Sequence, residues 1–188
     1  MPSIERNSHK MNVQLLEMGT LPRHNHLASS FFISIGELFK KKEVYPLQEN
    51  CMLCFAGRSY SGEESLICVE EIENKDSFKY EVINRLDFVQ PDFLLFHKNN
   101  YIQNASTSKT AGVPDLVVEI WSDSNSDEEK RFKHRLYSSS PKCEHWYLTQ
   151  DSNVVECYKG TEALPSQDLK HILRSTGGLE FDLTHLAQ

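Results

Sequence analysis

Val113 to Trp121, VPDLVVEIW, followed by the polar Ser122 to Ser126 and then by Asp127 to Ser138, DEEKRFKHRLYS, decides the fold. The first segment is apolar and branched and is bounded by turn-forming residues, as a buried central strand would be. The last segment sets Phe132 and Leu136 on one helical face, with acids in its first turn where the helix dipole favours them. Strand, polar turn and helix in that order predict a mixed α/β architecture. A residue period of two places Asp115, Val117, Glu119 and Trp121 on one face of the strand and Leu116, Val118 and Ile120 on the other. Glu119 therefore sits inside an apolar strand, where an ionised carboxylate costs several kcal/mol unless a cation or a basic side chain compensates it.

Upstream, Leu86 to Phe96 (LDFVQPDFLLF) reads as a second buried strand, and it carries Asp92. If the two strands are neighbours, Asp92 and Glu119 converge and offer hard oxygen ligands suited to Mg²⁺ or Mn²⁺. Such a cation, with a nearby ammonium, is what phosphodiester hydrolysis requires. On chemistry alone Lys133 is better read as one member of an exposed Glu129, Lys133, Tyr137 stripe at helical spacing. Asp115, just after Pro114, reads first as a turn or chain-end acid.

Around these segments, Leu27 to Lys40 (LASSFFISIGELFK) has the spacing of an amphipathic helix, with Arg23, His24 and Asn25 as its capping group and Lys40 to Lys42 at its end. Val44 to Phe96 reads as strands joined by turns, and His97 to Gly112 as a polar, mobile loop. His145 to Leu148 and Val154 to Tyr158 form a hairpin candidate, and Leu179 to Leu186 closes the chain with an apolar segment.

The 188 residues, with 39% hydrophobic and 25% charged content, suit a single domain over 1–188, residues 1–16 forming a polar N-terminal extension. A net charge of -7 excludes a global positive field, so any contact with nucleic acid must be local. Five cysteines are an odd number and argue against a disulfide framework, which points to a reducing, cytoplasmic setting. Cys51 and Cys54 form a Cys-x-x-Cys, but they lie in the apolar run CMLCF without a second ligand pair, so a buried strand is the expected reading. Nothing approaches the length of about 18 apolar residues that spans a bilayer.

Val89-Gln90-Pro91-Asp92 followed by an apolar run, and then Gly112-Val113-Pro114-Asp115-Leu116-Val117-Val118-Glu119-Ile120, resembles the signature of the Uma2 family. Ser122 and Ser124 fall at the serines of that family's Leu-Ser-Pro-Ser turn, and Lys133 and Tyr137 match its Lys-x-x-x-Tyr helix. Glu144-His145-Trp146 resembles its Glu-Tyr-Trp strand, and Pro22-Arg23-His24-Asn25 resembles the Pro-x-His that precedes its first helix. The resemblance runs from about Glu17 to the end and implies a restriction-endonuclease-like core of the PD-(D/E)XK nuclease superfamily, a mixed sheet flanked by helices.

By that resemblance Asp92 and Glu119 bind Mg²⁺ or Mn²⁺, and Lys133 completes a catalytic trio. Asp115, His24 and Tyr137 are secondary candidates. The implied activity is that of a metal-dependent DNA endonuclease. The alternatives are a catalytically silent binding or regulatory module on the same scaffold, or hydrolysis of RNA or another phosphate ester. A homodimer is expected from the two sites that double-strand cleavage needs; no membrane and no nucleotide cofactor are called for. The chain also departs from the pattern. Trp121 stands where the superfamily normally carries its lysine, Asp123 replaces the turn proline, Glu129 replaces an aspartate, and Thr149 follows the Glu-His-Trp strand. Only Val13 to Met18 (VQLLEM) resembles the family's N-terminal Asp-Gly-Glu strand, with Glu17 its candidate acid.

Overall fold

The computed structural model describes residues 21–36, 44–48, 51–57, 62–97, 99–104 and 106–187. The polar extension, the VQLLEM segment with Glu17, and Lys40 to Lys42 lie outside them. The chain runs through α1 (Leu21–Ser34), β1 (Val44–Gln48), β2 (Met52–Ala56), β3 (Ser65–Leu66), a helical stretch from Lys75 to Arg85, β4 (Phe88–Val89) and β5 (Phe93–His97). It continues through β6 (Tyr101–Asn104), β7 (Lys109–Gly112), β8 (Leu116–Trp121), α2 (Asp127–Ser138), β9 (Glu144–Thr149), β10 (Val154–Lys159), β11 (Glu162–Asp168), β12 (Leu173–Arg174) and β13 (Glu180–Phe181).

Among the described residues the main sheet has the order β1-β5-β8-β9-β10-β11. All of its pairs are antiparallel except β8 with β9, which α2 connects as a βαβ unit. All six residues of β8 are buried, as expected of a central strand covered on both faces. Leu116, Val118 and Ile120 pack with Leu27, Ala28, Phe31 and Ile35 of and just after α1. Val117 and Trp121 pack with Phe132, Leu136 and Tyr137 of α2. The alternation along one strand thus feeds two cores, and Glu119 belongs to the α2 side.

Helix α2 begins and ends where the sequence predicts. The Ser126 hydroxyl caps it by accepting from the Glu129 N–H at 3.1 Å, and three acids follow in its first turn. The Asp123 turn closes without a proline. The Asn125 carboxamide oxygen accepts from the Ser122 N–H at 2.9 Å, and the Asn125 N–H returns to the Ser122 carbonyl at 3.2 Å.

Four expectations need correction. Helix α1 starts at Leu21, so Arg23, His24 and Asn25 lie inside its first turns rather than capping it; Pro22 is tolerated there because a first-turn N–H has no intrahelical acceptor. Leu86 to Phe96 is two strands, not one. Pro91 offers no N–H, and on either side of it β4 pairs with β2 while β5 pairs with β1 and β8. Val44 to Phe96 also contains helix as well as strands. The segment His97 to Gly112 is largely the β6–β7 hairpin, which joins a second sheet through the parallel pairing of β7 with β2. Its polar residues Asn104 and Thr110 are buried and bonded, so polarity there does not mean a free loop.

The five cysteines are free, and four of them are buried. Cys51 immediately precedes β2 and Cys54 lies within it, and burial raises both thiol pKa values, Cys54 to about 11. No described helix is long and apolar enough to cross a membrane.

At the end of the β6–β7 hairpin, a Cβ added to Gly112 would lie 2.4 Å from the Asn100 carbonyl oxygen and 3.1 Å from the Phe96 ring. Gly112→Ala is therefore expected to destabilise the protein by about 2 kcal/mol, read from urea unfolding. An unchanged midpoint would contradict this packing.

Candidate active site

Strands β5 and β8 pair in the register Phe93↔Val118 and Leu94↔Val117, and extending it by one residue sets Asp92 opposite Glu119. The convergence expected of the two carboxylates therefore follows from strand pairing. Asp92 is fixed at both oxygens: Oδ2 accepts from the Ile120 N–H at 2.7 Å, and Oδ1 lies 3.0 Å from His24 Nε2 in the first turns of α1. Each oxygen keeps a second lone pair for another partner.

Glu119 is 1% exposed. Its Oε2 accepts from Lys133 Nζ at 2.9 Å, and its Oε1 accepts a short hydrogen bond of 2.5 Å from the Tyr137 hydroxyl. Lys133 and Tyr137 are four residues apart, so the helical repeat points both at the same carboxylate. Residues Phe132, Lys133, Leu136 and Tyr137 form the buried face of α2, and the two polar members of that face meet Glu119 while the two apolar members enter the core. The exposed-stripe account of Lys133 thus fails: the residue is 8% exposed, although it does also pair with Glu129 at 3.3 Å. Its ammonium further approaches the Gln90 carbonyl at 3.4 Å and lies 5.3 Å from the centre of the Trp121 ring.

The electrostatics are those of a site short of positive charge. Burial pushes the Glu119 pKa up to about 7; Lys133 opposes the rise, the Asp92 charge adds to it, and the Tyr137 hydrogen bond opposes it. Burial also works against the Lys133 charge, but Glu119, Glu129 and Asp92 outweigh it and raise the lysine pKa. Burial and the Glu119 charge keep Tyr137 protonated. Two hard carboxylates facing one ammonium, with one of them reluctant to ionise, fit a divalent cation. Among the described residues no three His, Cys, Asp or Glu side chains gather into a cation cage. Two carboxylates, with water and phosphate completing the shell, are nonetheless the usual protein share for Mg²⁺.

Asp115 is placed elsewhere. It precedes the opposite end of β8, where its carboxylate accepts from the His97 N–H at 2.6 Å and lies 2.9 Å from His97 Nδ1. At about 3.3 Å per residue it stands roughly 13 Å along the strand from Glu119. Sequence reasoning missed the Gln90 carbonyl and the Ile120 N–H, since backbone groups carry no residue-type signal. It also missed the role of Trp121, whose face-on approach by Lys133 needs the helix in place.

A family model described as "Uma2: Putative restriction endonuclease" matches residues 70–184, more than half of the chain and all of the site except His24. The chain belongs to the Uma2 family. The crystal structure of a protein from Anabaena variabilis, titled a "putative nuclease belonging to DUF820", superposes with a TM-score of 0.54 at 12% identity, covering 87% of this chain and 81% of that one. At that identity the likeness establishes the restriction-endonuclease-like fold of the Uma2 chain and nothing finer. No curated protein matches it.

Removing the Lys133 ammonium deletes the main influence that lowers the Glu119 pKa, which must then rise beyond about 7. A carboxyl whose folded pKa lies above its unfolded value stabilises the protein below the unfolded pKa and loses that contribution as pH rises through the folded one. Lys133→Ala is therefore expected to cost about 3 kcal/mol or more at pH 8, with a smaller deficit at pH 5.5. Urea unfolding at the two pH values measures this; a deficit independent of pH would contradict the pairing.

Proposed function

We propose that this chain is a metal-dependent DNA endonuclease in which Asp92 and Glu119 hold Mg²⁺ or Mn²⁺ and Lys133 serves the reacting phosphate. The observation that carries the reading is a carboxylate 1% exposed, opposite a second carboxylate and 2.9 Å from a buried ammonium. A nuclease family makes nucleic acid the substrate class.

The bound cation would polarise the phosphoryl oxygens and lower the pKa of an attacking water. The chain's own groups do the rest. Tyr137 holds one oxygen of Glu119 and leaves the other to Lys133, so the carboxylate is fixed in orientation before any ligand arrives. His24 and the Ile120 N–H fix Asp92 in the same way. Lys133 remains protonated, so its ammonium can stabilise negative charge growing on the oxygens around the phosphorus under attack. Glu119 must shed its proton to act as a ligand, so cation affinity falls as pH drops below about 7. Two such sites, one from each chain of a homodimer, would serve the two strands of a duplex.

Purified protein is expected to cleave or nick DNA with Mg²⁺ or Mn²⁺ and to stop when EDTA removes the metal. Glu119→Gln and Asp92→Asn should each lower the rate by about 10²-fold or more, and Lys133→Met should do so with the metal still bound. Equal cutting by parent and Glu119→Gln would mark contamination. No cutting by the parent, with no Mn²⁺ binding, would leave a binding module on a nuclease scaffold.

A further inference from the structure

Beyond Trp121 the α2 face of the main sheet opens into a groove of about 510 Å³, in the range of small-ligand sites. Its floor is aromatic. Trp121 and Tyr147, on the neighbouring strands β8 and β9, stack on each other at 5.5 Å and 13° and are each under a tenth exposed, while the half-buried Tyr158 on β10 is the most accessible ring of the three. The His134 ring stands edge-on to Tyr158 at 4.9 Å. Burial lowers the His134 pKa, so near neutral pH this ring adds a polarisable face rather than charge.

Its rim is basic. Lys130, Arg131 and Arg135 line it from α2, against the single carboxylate of Glu156 among the lining residues. Both arginines are exposed, and Lys130 Nζ lies 5.9 Å from the centre of the Trp121 ring. In a chain of net charge -7 this is a local concentration of positive charge around aromatic faces. Anions without π-faces would leave the aromatic floor unused, and an apolar ligand would leave the rim unused. Unpaired nucleotides satisfy both, because every base offers a stacking face and every link a phosphate. A duplex hides its base faces and satisfies only the rim.

We propose that this groove binds a single-stranded segment of nucleic acid, with a base against the half-buried Tyr158 ring and phosphates on Lys130, Arg131 and Arg135. Trp121 joins the groove to the carboxylate site, since Lys133 contacts both its ring and Glu119. The inference deepens the nuclease reading, and rests on it for the idea that a strand held here runs on toward Asp92 and Glu119. The groove's own ligand can be tested without cleavage.

The test is binding of a labelled thymidine oligonucleotide of about 12 residues in EDTA, followed by anisotropy and by tryptophan fluorescence. Trp146, the only other tryptophan, is fully buried in the α1 core, so quenching reports on Trp121. The oligonucleotide should bind more tightly than a duplex of equal length, quench the emission, and lose about 20-fold in affinity between about 50 and 200 mM salt. The surface variant Arg131→Glu/Arg135→Glu should weaken binding by about tenfold or more and flatten the salt dependence. Tyr158→Ala should weaken it by about 5- to 30-fold, while Tyr158→Phe keeps the ring and binds like the parent. Because binding is read in EDTA and without cleavage, its failure is distinguishable from failure of the nuclease reading, which the cleavage assay tests. Absence of saturable binding, tighter binding of the duplex, equal competition by a polyglutamate peptide, or parental affinity in the arginine variant would each overturn the proposal.

Discussion

A carboxylate has been folded into the middle of a strand whose six residues are all buried, and much of the α2 side of the molecule is arranged around that fact. Glu119 cannot be hydrated, so its two oxygens need donors from the protein. Among the described residues it is α2, returning across the sheet between the parallel strands β8 and β9, that brings side-chain donors to Glu119. Its buried face must therefore combine apolar packing with two polar side chains at helical spacing. Lys133 and Tyr137 meet that requirement while Phe132 and Leu136 seal the surrounding core.

The same constraint gives the site its chemistry. A fixed and partly neutralised carboxylate is a modest contribution to stability, because replacing a buried ion pair with apolar groups is often neutral or favourable. Its value lies in orientation and in held-back charge. Asp92 stands opposite through strand register alone, and His24 reaches it from α1. The site thus draws on both helices and on two neighbouring strands, so small movements of any one element would disturb it. Trp121 has the ammonium groups of two lysines, Lys130 and Lys133, over its ring.

Much of this was legible in the sequence where one physical signal dominates. The alternation in Val113 to Trp121 put Glu119 on one face with Val117 and Trp121, which the structure shows to be the α2 face, and the acid-first pattern of Asp127 to Ser138 matched the ends of α2. The hairpin of β9 and β10 followed from its polar turn. Legibility failed where tertiary partners decide. Apolar content runs straight through Leu86 to Phe96, yet the halves pair with different strands, which no local period records. Polar residues of His97 to Gly112 suggested a free loop because their buried partners on other segments cannot be seen in one dimension. Lys133 is the clearest case: its pattern equally fits an exposed pair, and only family resemblance pointed inward, to where the structure puts it.

The central claim, that the buried Glu119 and its neighbour Asp92 form a divalent-cation site, is tested most directly by anomalous diffraction from crystals grown with Mn²⁺ at pH 8. The account predicts a manganese peak bound directly by Asp92 and Glu119, with Lys133 still beside them, and its loss in Glu119→Gln. A peak elsewhere, or an unoccupied site with the Glu119, Lys133 and Tyr137 hydrogen bonds unchanged at saturating metal, would contradict it.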